Sequence, residues 1–500
     1  MRCIALKTAA DESELAIRGS QLARSALTVL HQILLNPFAS NLSALHLENI
    51  LIERLIQSLD GSDPYIQVLL LDVVYASLKL QEQPQEDNPA SPTSEKRPGS
   101  LDPNRRVSLS IAPESVYRIQ PTPPSLLKCL RAGLSSPSSE PVLDSWIGFL
   151  TECLSMYADS VFQILIPLVE TLCTQVAHNF KALQSMFREG HGLSQTKSMG
   201  PESTLISLLN GLEEVLASAH ARLLIEEART QVTKTPDHPQ GFFGNMVSGV
   251  FTSDAPQTRS ATANDRLTVH LAFQDAIRIC VRIWHWGQGE EARTLDPTSS
   301  ASFNYTSLRM RNRARRLLEH LFAAETIECL ETLVSIWRAS FGPANIHAVE
   351  VFNLFAALDG SRPKNTIPAI FNAIYSRTNP SALEPSRTST LTIDLEDTDL
   401  VIFLVDYTRS LDDDAMDEIW VDCMSFLKDL LGNPFPHRQT LASLLEFAAI
   451  LGEKVDNTNF GEQRKMRREL GVSGCHRSLL NAYILPTRAY SFSRTSSLGF

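Results

Sequence analysis

Apolar residues along this chain recur at three- and four-residue spacing almost from end to end. Leu22, Ala26, Val29, Leu30, Ile33 and Leu34 form the first such stripe, and Asn36-Pro37 stops it. The same period predicts helices over 45–59, 64–80, 124–134, 141–156, 158–187, 202–230 and 264–286. It continues over 303–322, 324–340, 346–358, 364–377, 414–431 and 437–452. Alternation of period two is nearly absent. Leu400-Val-Ile-Phe-Leu-Val405 would serve as a strand, but its surroundings favour a buried helix.

The stretch from Pro141 to Glu170 typifies the chain: two apolar helical patterns in succession, with no group placed for chemistry. Trp146 within it reads as a stacking residue. Two kinds of connector recur. Leu59-Asp-Gly-Ser-Asp-Pro64 resembles Leu358-Asp-Gly-Ser-Arg-Pro363, and Leu35-Asn-Pro-Phe38 echoes Gly432-Asn-Pro-Phe435. In the first kind, Gly61 and Gly360 are expected to end a helix in the left-handed conformation, with the Pro opening the next helix. No strict period links these turns, so either a degenerate array or convergent turn chemistry accounts for them.

Three segments poor in large apolar groups interrupt the pattern: 82–122, 231–262 and 379–396. The expected fold is all-α, a degenerate HEAT- or armadillo-like helical-repeat stack interrupted by disordered linkers. Its helical blocks span 1–81, 123–230, 263–378 and 397–470. After Leu470 the pattern gives way to a Ser-, Arg- and Tyr-rich end, so 471–500 is expected to be an atypical, disordered tail.

Composition narrows the function classes. With 43% hydrophobic residues over 500 positions, the chain can bury a sizeable core. A net charge of −11 argues against broad nucleic-acid binding, which needs a cationic surface. The eight cysteines are scattered without a C-x-x-C pair, several inside apolar stripes, which favours reduced packing residues over a disulfide framework. No uncharged apolar run approaches the 18 or so residues of a membrane span.

The search for chemistry is short. Asp412, Asp413 and Asp414 with Asp417 and Glu418 lack the alternating spacing of a calcium loop and read as an acidic helix start. His285 between Trp284 and Trp286 reads as core and boundary packing. Zinc-protease, nucleophile-elbow, P-loop and dinucleotide patterns do not occur. Thus no catalytic residue, cofactor or metal site is assigned.

The strongest charge anomaly is Arg309, Arg311, Arg313, Arg315 and Arg316. On a helix Arg309, Arg313 and Arg316 share one face, Arg311 and Arg315 an adjacent one, and Leu317, Leu318 and Leu321 supply the buried stripe. It is either a solvated face or a docking patch for anionic lipid head groups or an acidic partner. Ser108, in Arg105-Arg-Val-Ser108, is a candidate phosphosite in the first linker. Gly241-Phe-Phe-Gly through Phe251 reads as a loop plug or a short partner- or membrane-binding helix.

The chain resembles fungal members of the Dopey family. The resemblance is carried by Pro141–Trp146 with Phe162–Glu170, Gly241–Phe251, Arg315-Arg-Leu-Leu-Glu319, Leu358–Phe371 and Gln463–Leu470. It implies a piece from the later part of a much longer chain. It also implies a non-enzymatic scaffold of membrane traffic, peripheral on Golgi and endosome membranes. The partners so implied are an exchange-factor-like HEAT-repeat protein and a phospholipid-flippase ATPase, with no nucleic acid and no small-molecule substrate. Helical period alone fits equally an adaptor of another system, such as nuclear transport or phosphatase regulation.

Overall fold

The computed structural model describes residues 2–61, 63–82, 122–188, 201–233, 261–287, 297–340, 348–384, 387–433, 435, 437–458 and 463–474. Among them all regular structure is helical, with short 3-10 turns between the α-helices and no strand. The first seven helices are α1 (Arg2–Leu34), α2 (Leu47–Ser58), α3 (Pro64–Glu82), α4 (Pro124–Ser135), α5 (Leu143–Cys153), α6 (Val161–Arg188) and α7 (Pro201–Thr233). Then follow α8 (Ala261–Trp284), α9 (Pro297–Ala324), α10 (Thr326–Ala339), α11 (Ala348–Ala357) and α12 (Pro363–Thr378). The last are α13 (Asp397–Ser410), α14 (Met416–Gly432), α15 (Leu441–Asn457) and α16 (Gln463–Gly474). Every predicted helix is present, and the ambiguous run 400–405 lies in α13 with Leu400, Val401, Phe403 and Leu404 buried.

The helices form two compact units, residues 1–179 with 195–215 and residues 180–194 with 216–500. In both, contacts run mainly between helices that are neighbours or next-but-one in sequence. In the first unit α1 lies on α3, α3 on α5, and α2 on α4. In the second, α8, α10, α12, α14 and α16 follow one another while α13 packs on α15. Alternate helices therefore fall into two layers, the arrangement of a helical-repeat stack. Phe371 stacks on Phe426 at 3.8 Å, and Tyr375, one turn later, donates to Asp429 at 2.7 Å. Both contacts advance in the same sense along α12 and α14, so these alternate helices run parallel, as equivalent helices of successive repeats do.

In the first unit the packing turns on Trp146. Its indole is fully buried and lies over Gly133 of α4, where a Cβ would come within 2.1 Å of the ring. Its N–H donates to Gln67 Oε1 at 3.0 Å, and Ser139 donates to the same oxygen at 3.0 Å. The Gln67 amide donates to the Ser138 carbonyl at 3.3 Å, while the Ser138 hydroxyl donates to the Leu59 carbonyl at 2.7 Å. A stacking residue thus doubles as a hydrogen-bonded register pin among α3, α5 and the turn before α5. Helix α6 is long and apolar enough, by length and composition, to cross a membrane. Its exposed Gln163, Glu170, Thr174, His178 and Lys181 nevertheless fall on one polar stripe, opposite buried Leu165, Leu168, Leu172, Val176 and Phe180. That is the pattern of an amphipathic core helix.

The connectors differ from expectation in one respect. Neither Gly61 nor Gly360 has a positive φ; Gly287 is the glycine that does, among the described residues, at 78°. Gly61 closes a 3-10 turn onto the Ser58 carbonyl at 3.1 Å. Gly360 sits in a 3-10 turn, Asp359–Ser361, whose Ser361 hydroxyl caps the Phe355 and Leu358 carbonyls. Tightened i to i−3 bonds and a serine side chain satisfy the carbonyls that a left-handed glycine would otherwise have served. Gly287 performs that role after α8, pressed against Ser307 so closely that a Cβ would stand 2.9 Å from it.

Gly133→Ala should overpack the Trp146 pocket and destabilise the chain by about 1–3 kcal/mol, measured by urea unfolding. An unchanged unfolding midpoint would show that the Trp146–Gly133 contact does not constrain the first unit.

Candidate functional site

The structure splits the predicted arginine cluster by role. All five residues lie on α9, with Met310, Ala314, Leu317, Leu318 and Leu321 forming the buried stripe between them. The Arg311 guanidinium lies 5.0 Å from the Trp284 ring centroid, and burial lowers its pKa. Such a stack is worth roughly 0.5–2 kcal/mol. Arg315 donates to Glu319 at 3.1 Å and to the Ala357 carbonyl at 3.0 Å, fixing α9 to the end of α11. Arg309 and Arg316 are exposed, and Arg313 is half-buried. The outward-facing part of the patch is therefore centred on Arg309 and Arg316, while Arg311 and Arg315 work inside the stack.

The other chemistry-bearing positions resolve as packing. Trp286 meets Phe180 and Phe303 edge to face at 5.4 and 5.3 Å, and His285 lies 3.6 Å from Glu350. Asp417 and Glu418 occupy the first turn of α14, and Asp413 pairs with Lys454 at 3.1 Å. No group of three or more potential metal ligands occurs among the described residues. Ser108 and Gly241–Phe251 lie outside the described residues.

A different, buried polar cluster lies in the second unit, and it was not singled out from sequence. Helix α10 is buried nearly all round, yet it carries Glu328 and Glu331 at 3% and 0% exposure. His270 of α8, also buried, places Nδ1 3.3 Å from Glu328 and Nε2 3.7 Å from Glu325. His220 reaches the other oxygen of Glu325 at 3.3 Å. Arg377 of α12 pairs with Glu331 at 2.6 Å and donates to the Leu395 carbonyl at 2.8 Å.

The remaining partners come from residues 388–395, part of the segment expected to interrupt the stack. Ser389 donates to Glu331 at 2.9 Å, and the Thr390 backbone and hydroxyl both donate to Glu328, at 2.8 and 2.9 Å. Gln274 donates to Thr392 at 2.6 Å. Ile393 and Leu395 are buried beside these bonds, so the segment is an extended strap fastened across α8, α10 and α12. Between the inward hydroxyls, Leu391 takes a φ of 54° with its side chain half in solvent. That conformation costs a non-glycine residue about 1–2 kcal/mol and persists only where flanking contacts hold it.

Opposite charges sit side by side in the cluster. Burial opposes ionisation of His270, but the carboxylates of Glu328 and Glu325, 3.3 and 3.7 Å away, outweigh it and raise its pKa to about 9. Burial likewise opposes Glu325, whose pKa is nevertheless held down to about 2 by His220, His270 and Arg266. Glu328 is lowered too: burial resists, while His270 and Thr390 prevail. Glu331 is raised, because burial exceeds the pull of Arg377. The cluster fastens α8, α10, α12 and the strap to one another.

The sign of its pH dependence follows. His270, raised in the folded state from 6.5 to about 9, contributes stability that is complete below pH 6.5 and lost as pH rises through 9. Glu325, depressed from 4.5 to about 2, contributes stability present above pH 4.5 and lost as pH falls toward 2. Urea unfolding from pH 6 to 9.5 should therefore show a midpoint that falls with pH, with a shallower fall in His270→Gln. Equal slopes in the two proteins would rule out His270 as the alkaline-sensitive group.

Comparison with known proteins adds the relationship. A family model described as DOP1 C-terminal matches residues 403–497, from within α13 past the end of α16. Protein dop1 of Emericella nidulans is 51% identical over 462 residues, 90% of this chain and 24% of that protein. Protein DOP1 of Saccharomyces cerevisiae is 27% identical over 376 residues, 72% of this chain and 21% of that protein. The chain thus spans about a quarter of the length of these curated relatives. No solved structure matches it. With 51% identity sustained across nine tenths of its residues, the chain belongs to the Dopey family.

Proposed function

We propose that this chain is a helical-repeat scaffold in membrane traffic between Golgi and endosomes, carrying no catalytic centre of its own. The observation that carries the reading is the membership of a Dopey-type sequence in a helical stack whose buried Gln67, Glu328 and Glu331 fasten neighbouring helices. A repeat stack gives long rigid faces on which several partners dock at once. The partners are an exchange-factor-like HEAT-repeat protein and a phospholipid-flippase ATPase, and the site of action is the cytoplasmic face of those membranes.

Within this reading Arg309 and Arg316 are the membrane- or partner-facing groups. A juxtamembrane cation contributes about 1 kcal/mol toward an anionic leaflet, so two exposed arginines alone give weak, salt-sensitive attachment. The partner proteins then supply most of the residence.

Affinity purification of the tagged full-length protein from fungal cells should recover the exchange-factor-like partner and the flippase. A preparation containing neither would overturn the trafficking assignment. Separately, Arg309→Glu with Arg316→Glu should reduce co-sedimentation with phosphatidylserine vesicles at low salt and leave the melting temperature unchanged. Undiminished sedimentation would return these arginines to an ordinary solvated face.

A further inference from the structure

A groove of 430 Å³ runs between α4 and α6 in the first compact unit. Lys128, Arg131 and Ser135 lie along its α4 wall, and Thr171 of α6 stands opposite. Leu127 and Ala132, both half-buried, form its apolar sides. Positions i, i+3 and i+7 of a helix fall within about 60° of one another, so the three polar groups make a row about 10 Å long.

Among the described residues neither cation is neutralised. Helix α4 contains no Asp or Glu. Lys128 and Ser135 have no hydrogen-bond or ionic partner there, and Arg131 has one, the Thr171 hydroxyl. Glu170, beside Thr171 in sequence, is exposed and lies about 100° away round α6. Acids are in excess in a chain of net charge −11, yet no described acid pairs with either base. The single bond of Arg131 fixes its direction. Its Nε donates to Thr171 Oγ1 at 3.1 Å, and Thr171 in turn donates to the Pro167 carbonyl at 2.7 Å. Thr171 is 7% exposed, so the guanidinium is held at its inner nitrogen by a buried anchor while its two terminal nitrogens remain for a ligand. A planar fork fixed in this way offers paired N–H groups and loses little freedom on binding.

We propose that the groove between α4 and α6 binds a phosphorylated serine or threonine in an extended segment of a partner protein. The phosphate accepts two N–H bonds from the Arg131 fork and a third from Lys128, and Ser135, one turn further on, meets the backbone of the segment. Charge selects phosphate over carboxylate: a phosphate ester carries nearly two negative charges, which match the two cations, whereas a carboxylate leaves one cation over. Leu127 and Ala132 flank the row and cover the apolar parts of neighbouring residues. A bilayer is the less suited occupant. Among the described residues no large apolar side chain is exposed between Tyr65 and Met186, so nothing beside the groove enters a membrane. The site uses no residue of α9, and the inference goes beyond the trafficking assignment without depending on it.

The test uses the purified chain and, as probe, a fluorescein-labelled peptide library with one fixed phosphoserine and degenerate flanking positions, followed by anisotropy. The phosphoserine library should bind at least about tenfold more tightly than the same library with serine. Lys128→Ala with Arg131→Ala should abolish that preference and, because both side chains are exposed, leave the melting temperature unchanged. Arg131→Lys, which keeps the charge but not the fork, should weaken binding by about three- to tenfold. Arg309→Glu with Arg316→Glu, which makes the chain more acidic elsewhere, should bind as the unaltered chain does. No phosphoserine preference in the unaltered chain, or a preference that survives the Lys128 and Arg131 double variant, overturns the proposal. So does full binding by Arg131→Lys or an equal loss in the α9 variant, since either would reduce the effect to bulk charge. Sedimentation with phosphatidic acid vesicles that depends on Lys128 and Arg131, without peptide binding, would give the groove to a lipid phosphate and overturn it too. These readouts involve no cell compartment, so their failure is separable from failure of the trafficking assignment.

Discussion

An α-helix with a wide apolar face cannot stand alone in water, and in this chain nearly every helix has one. Its stripe must be covered by the next helix, and that pair in turn leaves a face for the helix after. Two layers of alternate helices are the solution that repeats without limit. Burial supplies the drive without direction: at roughly 25 cal/mol per Å² it rewards any covering of apolar area. A stack held by apolar area alone would tolerate sliding of one helix along another.

Polar groups inside the stack remove that tolerance. Gln67, fully buried, joins α3 to α5 through Trp146 and to the turn before α5 through Ser139. In the second unit Glu328 and Glu331 fasten α10 to α8, α12 and the strap. Each such group is costly if left unpaired, because a buried carboxylate without its partner loses several kcal/mol of solvation. A shift of one helix by a turn would orphan several of these groups together. Register is therefore set by the few polar atoms, while adhesion comes from the many apolar ones. The aromatic set of Trp337, Phe352, Phe355, Phe403 and Tyr407 adds one edge-to-face contact, Trp337 on Phe403, and tilted ring contacts across α10, α11 and α13.

Helix positions were legible in the sequence because a 3.6-residue period survives whatever partner covers the stripe. The partners themselves were not. Thr388-Ser-Thr-Leu-Thr392 reads as a polar interruption, since the carboxylates it bonds lie some sixty residues earlier. A usable signal did exist on α10, where Glu328 and Glu331 intrude among Cys329, Leu330, Leu333 and Val334. Charges set inside an apolar run need partners, and that requirement points to a polar segment elsewhere. The arginine cluster failed to resolve for the converse reason. Helical spacing places Arg311 near the surface, and only the fold brings Trp284 beneath it. The glycines of the Asp-Gly-Ser connectors misled in a third way, because Ser361, two positions from Asp359, takes over the capping.

The division between interior and connector has a consequence for function. Residues locked by packing and by paired charge cannot be spent on partners without loosening the stack, so recognition falls to groups the stack does not need. Arg316 and Phe38 meet that condition on exposure, whereas Arg311, Arg315 and His270 do not. Connectors are the natural place for such groups. A turn must leave the helix pair in any case, and its sequence is constrained only by the need to reverse the chain. At Asn36-Pro37 that need is met by the Asx bond to the Phe38 N–H and by the fixed proline φ.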